Sequence, residues 1–115
     1  MTERDRRREL REQIRQQPPD AGVYAVRHRT TGRTVVAHSL NLQGARNRFD
    51  FCVATGSLGA FDPGLVADAR AHGVDGLELD VLDVVQIEAG TEPEAVRDDL
   101  ETLATMWRER LAETG

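Results

Sequence analysis

Among the groups in this 115-residue chain with the chemistry to move a proton or hold a phosphate, one phenol, three imidazoles and two of the fifteen guanidiniums stand out. Tyr24 is the sole tyrosine. His28 and His38 flank a turn signal at Thr30-Thr31-Gly32-Arg33. Imidazole titrates in the physiological range, so the two histidines, if brought face to face beside Tyr24, would form an acid–base or metal site. Arg46 and Arg48 offer forked donors that match phosphate oxygens. His72 stands near a predicted helix end, where a positive charge is favoured by the dipole. Ser39 has no histidine–acid pair at a readable spacing and is not a nucleophile candidate. Acids at 78, 80 and 83, and again at 98, 99 and 101, alternate with apolar residues and read as solvated faces. No phosphate-loop, zinc-spacing or dinucleotide signature is present.

The bulk numbers narrow the class. The length suits one domain. Hydrophobic residues are 39% and charged residues 30%, a globular balance rather than a disordered one. Aromatics are few, so the core must come from Val, Leu, Ala and Ile. Charge is uneven: residues 1–58 carry +5 and residues 59–115 carry −10. The acidic half argues against a protein that coats nucleic acid on every side, while the Arg-rich N-terminal half is a candidate face for it. All 15 basic residues are arginine, which reads as a compositional bias. No apolar run approaches the roughly 20 residues of a membrane span. The Arg-rich start has no apolar segment behind it and is no secretory signal. A cytoplasmic protein is expected. The lone Cys52 suits that compartment and reads as a small buried hydrophobe.

The elements that must position these groups follow from periodicity. Thr2–Gln16 predicts a helix with Thr2 as cap, a thin stripe of Leu10 and Ile14, and a solvated Arg6-Arg7-Arg8 face. Pro18-Pro19 ends it. Residues 1–19 thus read as a helix and connector, and 20–115 as the domain. Val23–His28 and 34–39 predict a β-hairpin, with Gly32 at the turn position that needs a positive φ. Ser39 or Asn41 caps a helix bearing Leu42, Ala45, Phe49 and Cys52 on one side, with Gly44 as its weak point. Asp62-Pro63 starts another, which Gly73 closes in a left-handed cap. Leu77–Ile87 alternates and predicts a strand. Thr91-Glu92-Pro93-Glu94 opens a long helix with Val96, Leu100, Leu103, Trp107 and Leu111 on one face. The expected architecture is α+β: three antiparallel strands covered by helices.

Gly22-Val23-Tyr24, ten residues, then Val35-Val36-Ala37 and a helix after Asn41-Leu42 resembles the GIY-YIG nuclease superfamily. The likeness extends over Gly32–Phe51, Leu65–Leu82 and Trp107, roughly residues 20–110. It implies paired hairpin tyrosines, an arginine on the first helix that steadies phosphate, and a glutamate on a later helix that holds one divalent metal for phosphodiester hydrolysis. Carried over position by position, Tyr24 is the first tyrosine. Val35 occupies the place of the second, Ala37 that of the glycine, Ala45 that of the arginine and Phe49 that of a histidine. The metal-holding position falls on Ala104, with Glu101 and Asp99 nearby. Arg46 and Arg48 would replace the arginine only by a long reach, since neighbours on a helix point about 100° apart. His38 would replace the tyrosine, although three residues from Val35 an ideal strand turns it to the other face. The sites expected from the resemblance are therefore Tyr24, His38, Arg46 and Arg48. The expected function is a nuclease-like module with impaired catalysis that binds nucleic acid or a protein. The alternatives are an active endonuclease that uses magnesium and an unrelated small α/β interaction domain. No cofactor is expected outside the magnesium of the nuclease reading, and no membrane partner.

Overall fold

A computed structural model describes residues 20–88 and 90–114. The helix predicted over Thr2–Gln16 and its Pro18-Pro19 connector lie outside the described residues. Strand β1 spans Ala21–His28, β2 Thr34–Ser39 and β3 Leu77–Val85. Helix α1 spans Leu42–Thr55, α2 Pro63–His72 and α3 Pro93–Thr114. A single 3₁₀ turn, Val74–Gly76, leads from α2 into β3. The sheet is antiparallel, in the order β2-β1-β3. This is the predicted α+β arrangement. Among the described residues, no helix is long and apolar enough to cross a membrane.

Alternation along β1 builds two cores. Val26, with Tyr24 beside it, packs among Phe49, Leu58, Leu65, Ala69, Leu77 and Leu79, the layer of α1 and α2. Val23 and Ala25 point the other way, onto Ala104 of α3 with Val36, and Leu103, Trp107 and Leu111 pack at the margin. Ala21, Val96 and Leu100 continue that second layer. The sheet is thus a wall with α1 and α2 on one side and α3 on the other. The stripe Val96–Leu100–Leu103–Trp107–Leu111 behaves as its spacing predicts.

Local chemistry fixes the element ends. Asn41 caps α1 by accepting from the Gly44 N–H at 3.0 Å. Gly44 is no defect: a Cβ there would press on that Asn41 amide at 2.9 Å, so glycine lets the cap close. Asp62 caps α2, accepting from Gly64 and Leu65 N–H at 2.9 and 3.4 Å. Gly73 departs from expectation. Its φ of 104° is positive, but its ψ of 145° is extended rather than left-handed helical. The chain leaves α2 straight into the 3₁₀ turn, and the left-handed cap instead falls at Gly56 after α1. The last strand stops at Val85, two residues short of Ile87, because Val85 pairs with Ala21, where β1 begins.

The two hairpin histidines do not face each other, which corrects the site expected of them. His38 pairs with Val23 near one end of the sheet, whereas His28 pairs with Leu77 at the other. His28 is fully buried. Its Nε2 lies 2.9 Å from the Gly73 carbonyl and its Nδ1 3.2 Å from the Thr30 N–H. The carbonyl can only accept and the amide only donate, so Nε2 carries the proton in this arrangement. The ring also rests against Gly76, where a Cβ would strike it, and lies 6.0 Å from His72. Its role is to seat the hairpin turn on the α2–β3 connector.

Asp68 of α2 ties down the same turn. Its Oδ2 accepts from Thr31 Oγ1 at 2.9 Å and from Arg33 Nε at 2.8 Å. Partial burial is the largest single influence on this carboxyl and pushes it up, but the Thr31 and Arg33 hydrogen bonds and the Arg33 charge together hold it below its ordinary value. A depressed folded value means a contribution that is present above the ordinary carboxylate range, about 4, and is lost as pH falls through the folded value. The urea midpoint of the protein is therefore expected to exceed that of Asp68→Asn at pH 7. The gap should close progressively below about pH 4. A gap that widened in acid would contradict the assignment.

Candidate active-site cleft

Tyr24 pairs beside an irregularity in β3. Between β1 and β3 the register slips, Val23 pairing with Asp83 and Tyr24 with Val81, so that Leu82 is passed over. Such bulges bend a strand and re-aim the next side chain. The slip needs Gly22. A Cβ there would run into the Asp83 carbonyl oxygen and come within 2.8 Å of Leu42 Cδ1 at the start of α1. Only glycine lets β1, β3 and α1 meet at this point. Across the hairpin Tyr24 pairs with Ala37.

The half-buried Tyr24 lines a cleft of about 330 Å³ between the sheet and the beginnings of α1 and α2. Val35 and Ala37 of β2, Ala45 and Phe49 of α1, and Leu65 of α2 line it too. Four of the positions carried over from the resemblance, Val35, Ala37, Ala45 and Phe49, therefore do share one space with Tyr24, and they furnish it with methyl groups and a phenyl ring.

The candidate residues separate. Arg48 lines the cleft, is exposed, and has no hydrogen bond or ion pair among the described residues. Arg46 does not line it; its Nη2 donates to the Leu79 carbonyl at 3.3 Å. Two residues apart on a helix, the two guanidiniums diverge by about 200°. His38 borders the cleft on edge strand β2 but, two residues on, shares the strand face of Val36, whose side chain packs toward α3. Ala104 is fully buried against Val23, Ala25 and Val36, on the side of the sheet away from Tyr24. Asp99 and Glu101 are exposed on α3, and neither lines the cleft.

Asp62 is the residue that the sequence reading left out of the site. It lines the cleft together with Tyr24 and Arg48. Its Asp-Pro signature announces a helix start, and no pattern within one element reveals that the starts of α1 and α2 close on the same space.

Among the described residues, the cleft brings a single carboxylate to a magnesium ion, a weak hold in the absence of substrate phosphates. Such an ion needs one or two carboxylates, with substrate phosphates completing an octahedron. Asp62 supplies the one carboxylate of the cleft, and its Oδ2 already accepts from two backbone N–H groups. Among the described residues, no three His, Cys, Asp or Glu side chains converge to hold a metal. What the cleft does offer is a phenol, a free guanidinium and an apolar interior.

No family model matches the chain, and no curated protein matches it. Among solved structures, the chain is similar to a point-mutant form of the catalytic domain of the intron endonuclease I-TevI, with a TM-score of 0.58 and 16% identity. The match covers 81% of this chain and 84% of that domain. At that identity the likeness speaks for the fold, which is GIY-YIG-like.

Proposed function

We propose that this GIY-YIG-like domain binds nucleic acid without cutting it. One observation carries the reading: the cleft keeps the phenol of Tyr24 and the guanidinium of Arg48, which has no partner among the described residues, while Val35, Ala45 and Phe49 line it with apolar groups. A guanidinium on a rim suits a phosphate oxygen. An apolar interior gives no base to activate water and no second donor for the charge that develops in hydrolysis. Removing one such donor costs on the order of 10²–10³ in rate.

Salt dependence tests the binding half. Each phosphate neutralised by an arginine adds about one to the slope of log K against log salt. Arg48→Ala is expected to weaken binding of single-stranded and duplex probes and to lower that slope by about 1. Arg46→Ala, whose guanidinium is tied to Leu79, is expected to leave the slope in place. An unchanged slope in Arg48→Ala would remove Arg48 from the contact.

A second reading, an active metal-dependent endonuclease, is favoured by the meeting of Tyr24, Arg48 and Asp62 along one cleft. Incubation with plasmid and single-stranded substrates in Mg²⁺ or Mn²⁺ separates the two. Cleavage abolished by Tyr24→Phe or Asp62→Asn would establish the nuclease. Cleavage indifferent to both substitutions would come from elsewhere.

A further inference from the structure

We infer that the cleft is a nucleobase pocket: the ligand is an unstacked base with its phosphate, presented by a single strand and not by a duplex. This deepens the nucleic-acid reading above and rests on it. Size comes first. An apolar cavity of about 150 Å³ accepts a benzene ring, and a water molecule occupies about 30 Å³. At about 330 Å³ this cleft is no packing defect; it holds one ring system with a little water. It owes its room to short side chains, since a longer one at Val35 or Ala45 would fill it.

The walls suit a flat ring. Tyr24, Phe49 and Phe61 line the cleft, and Phe49 and Phe61 meet at a centroid separation of 5.8 Å and an interplanar angle of 56°. Phe49 is buried and Phe61 half-buried, so Phe61 and the half-buried Tyr24 are the rings able to meet the π-face that every base has. The rim carries polarity of both kinds. Asn41 uses its Oδ1 to cap α1, leaving Nδ2 as a donor with no partner among the described residues. Asp62 uses its Oδ2 to cap α2, leaving Oδ1 as an acceptor. A base edge presents donors and acceptors side by side, and the exposed Arg48 lines the same pocket as a donor for the attached phosphate. A base inside a duplex cannot enter without being pulled from the stack, an expense that a single strand avoids. The aromatic walls therefore select strand state as well as chemistry.

The experiment is fluorescence anisotropy with the full chain and four labelled probes: a short oligothymidine strand, an abasic strand of equal length, a hairpin duplex, and thymidine monophosphate carrying the same dye. One stacked base is worth on the order of tenfold in affinity. The base-bearing strand should therefore bind about tenfold more tightly than the abasic one and more tightly than the duplex. Filling the cavity with Ala45→Leu, or independently with Val35→Phe, should erase that preference in whichever variant keeps the melting temperature of the parent. Equal affinity for base-bearing and abasic strands overturns the pocket while leaving the nucleic-acid reading intact. Binding to neither strand, nor to the labelled nucleotide, overturns both. Tight binding of the free nucleotide without the strands keeps the pocket and replaces the source of its ligand.

Discussion

Ala104→Glu is expected to cost the fold about 3–5 kcal/mol and to confer no cleavage, although it restores the carboxylate that the resemblance places at this position. Ala104 has no exposed surface and is packed by Val23, Ala25 and Val36. Arg108, one turn along α3, already donates to the Val36 carbonyl at 2.9 Å, so a carboxylate at 104 gains that cation only by breaking this bond. The protein must either bury the charge, at the cost of that bond or of a charge without a partner, or keep the group protonated at neutral pH. Against a total stability of about 5–15 kcal/mol, either route consumes a large fraction. The new carboxyl would titrate above its ordinary value, so the destabilisation should shrink as pH falls toward the unfolded value, the reverse of Asp68. The sheet also lies between position 104 and the Tyr24 cleft, so no metal held at 104 could reach a phosphate beside the phenol. Urea midpoints at pH 5 and pH 8, with plasmid cleavage in Mg²⁺, decide the matter. A variant as stable as the parent that cuts DNA would show that α3 sits in another register.

The sheet and its helices were legible because each is written in local chemistry. Asn41, Asp62-Pro63 and the stripe from Val96 to Leu111 announce their roles within one element, and the structure places each as its pattern implies. Misreadings arose where the outcome depended on two elements at once. Gly73 has the position of a left-handed cap, but the 3₁₀ turn that follows, with His28 held against the Gly73 carbonyl and Gly76, draws the backbone into an extended ψ. His28 and His38 flank one turn in sequence, yet antiparallel pairing sets residues equidistant from the turn opposite each other, and these two are not equidistant.

The candidate site was half legible for the same reason. Tyr24, Val35, Ala45 and Phe49 could be gathered because the resemblance carries them over to one site, and those four positions do line a single cleft. The parting of Arg48 from Arg46 follows from helical geometry, but which of them meets the cleft depends on how α1 is rolled against β3, and the Leu79 carbonyl settles that by capturing Arg46. Asp62 and Phe61 arrive from a segment distant in sequence, and no spacing rule announces them.

Gly22→Ala is expected to destabilise by about 3 kcal/mol, at the upper end of overpacking costs, and to loosen Tyr24 at the same time. An alanine methyl would meet the Asp83 carbonyl oxygen on one side and Leu42 Cδ1 at 2.8 Å on the other. The leucine can rotate; the carbonyl belongs to the strand pair and can retreat only if β3 moves off β1. That movement would undo the slip that lets Val23 pair with Asp83 and Tyr24 with Val81. Gly59→Ala is the control, since nothing lies within 4 Å of its added Cβ and its φ is not positive, and its urea midpoint should match the parent. The double variant Gly22→Ala with Leu42→Ala separates the two halves of the collision. If the side chain were the whole obstacle, the second change would offset much of the first. Because the backbone half remains, and the buried Leu42 contributes core packing of its own, the double variant should be less stable than either single one.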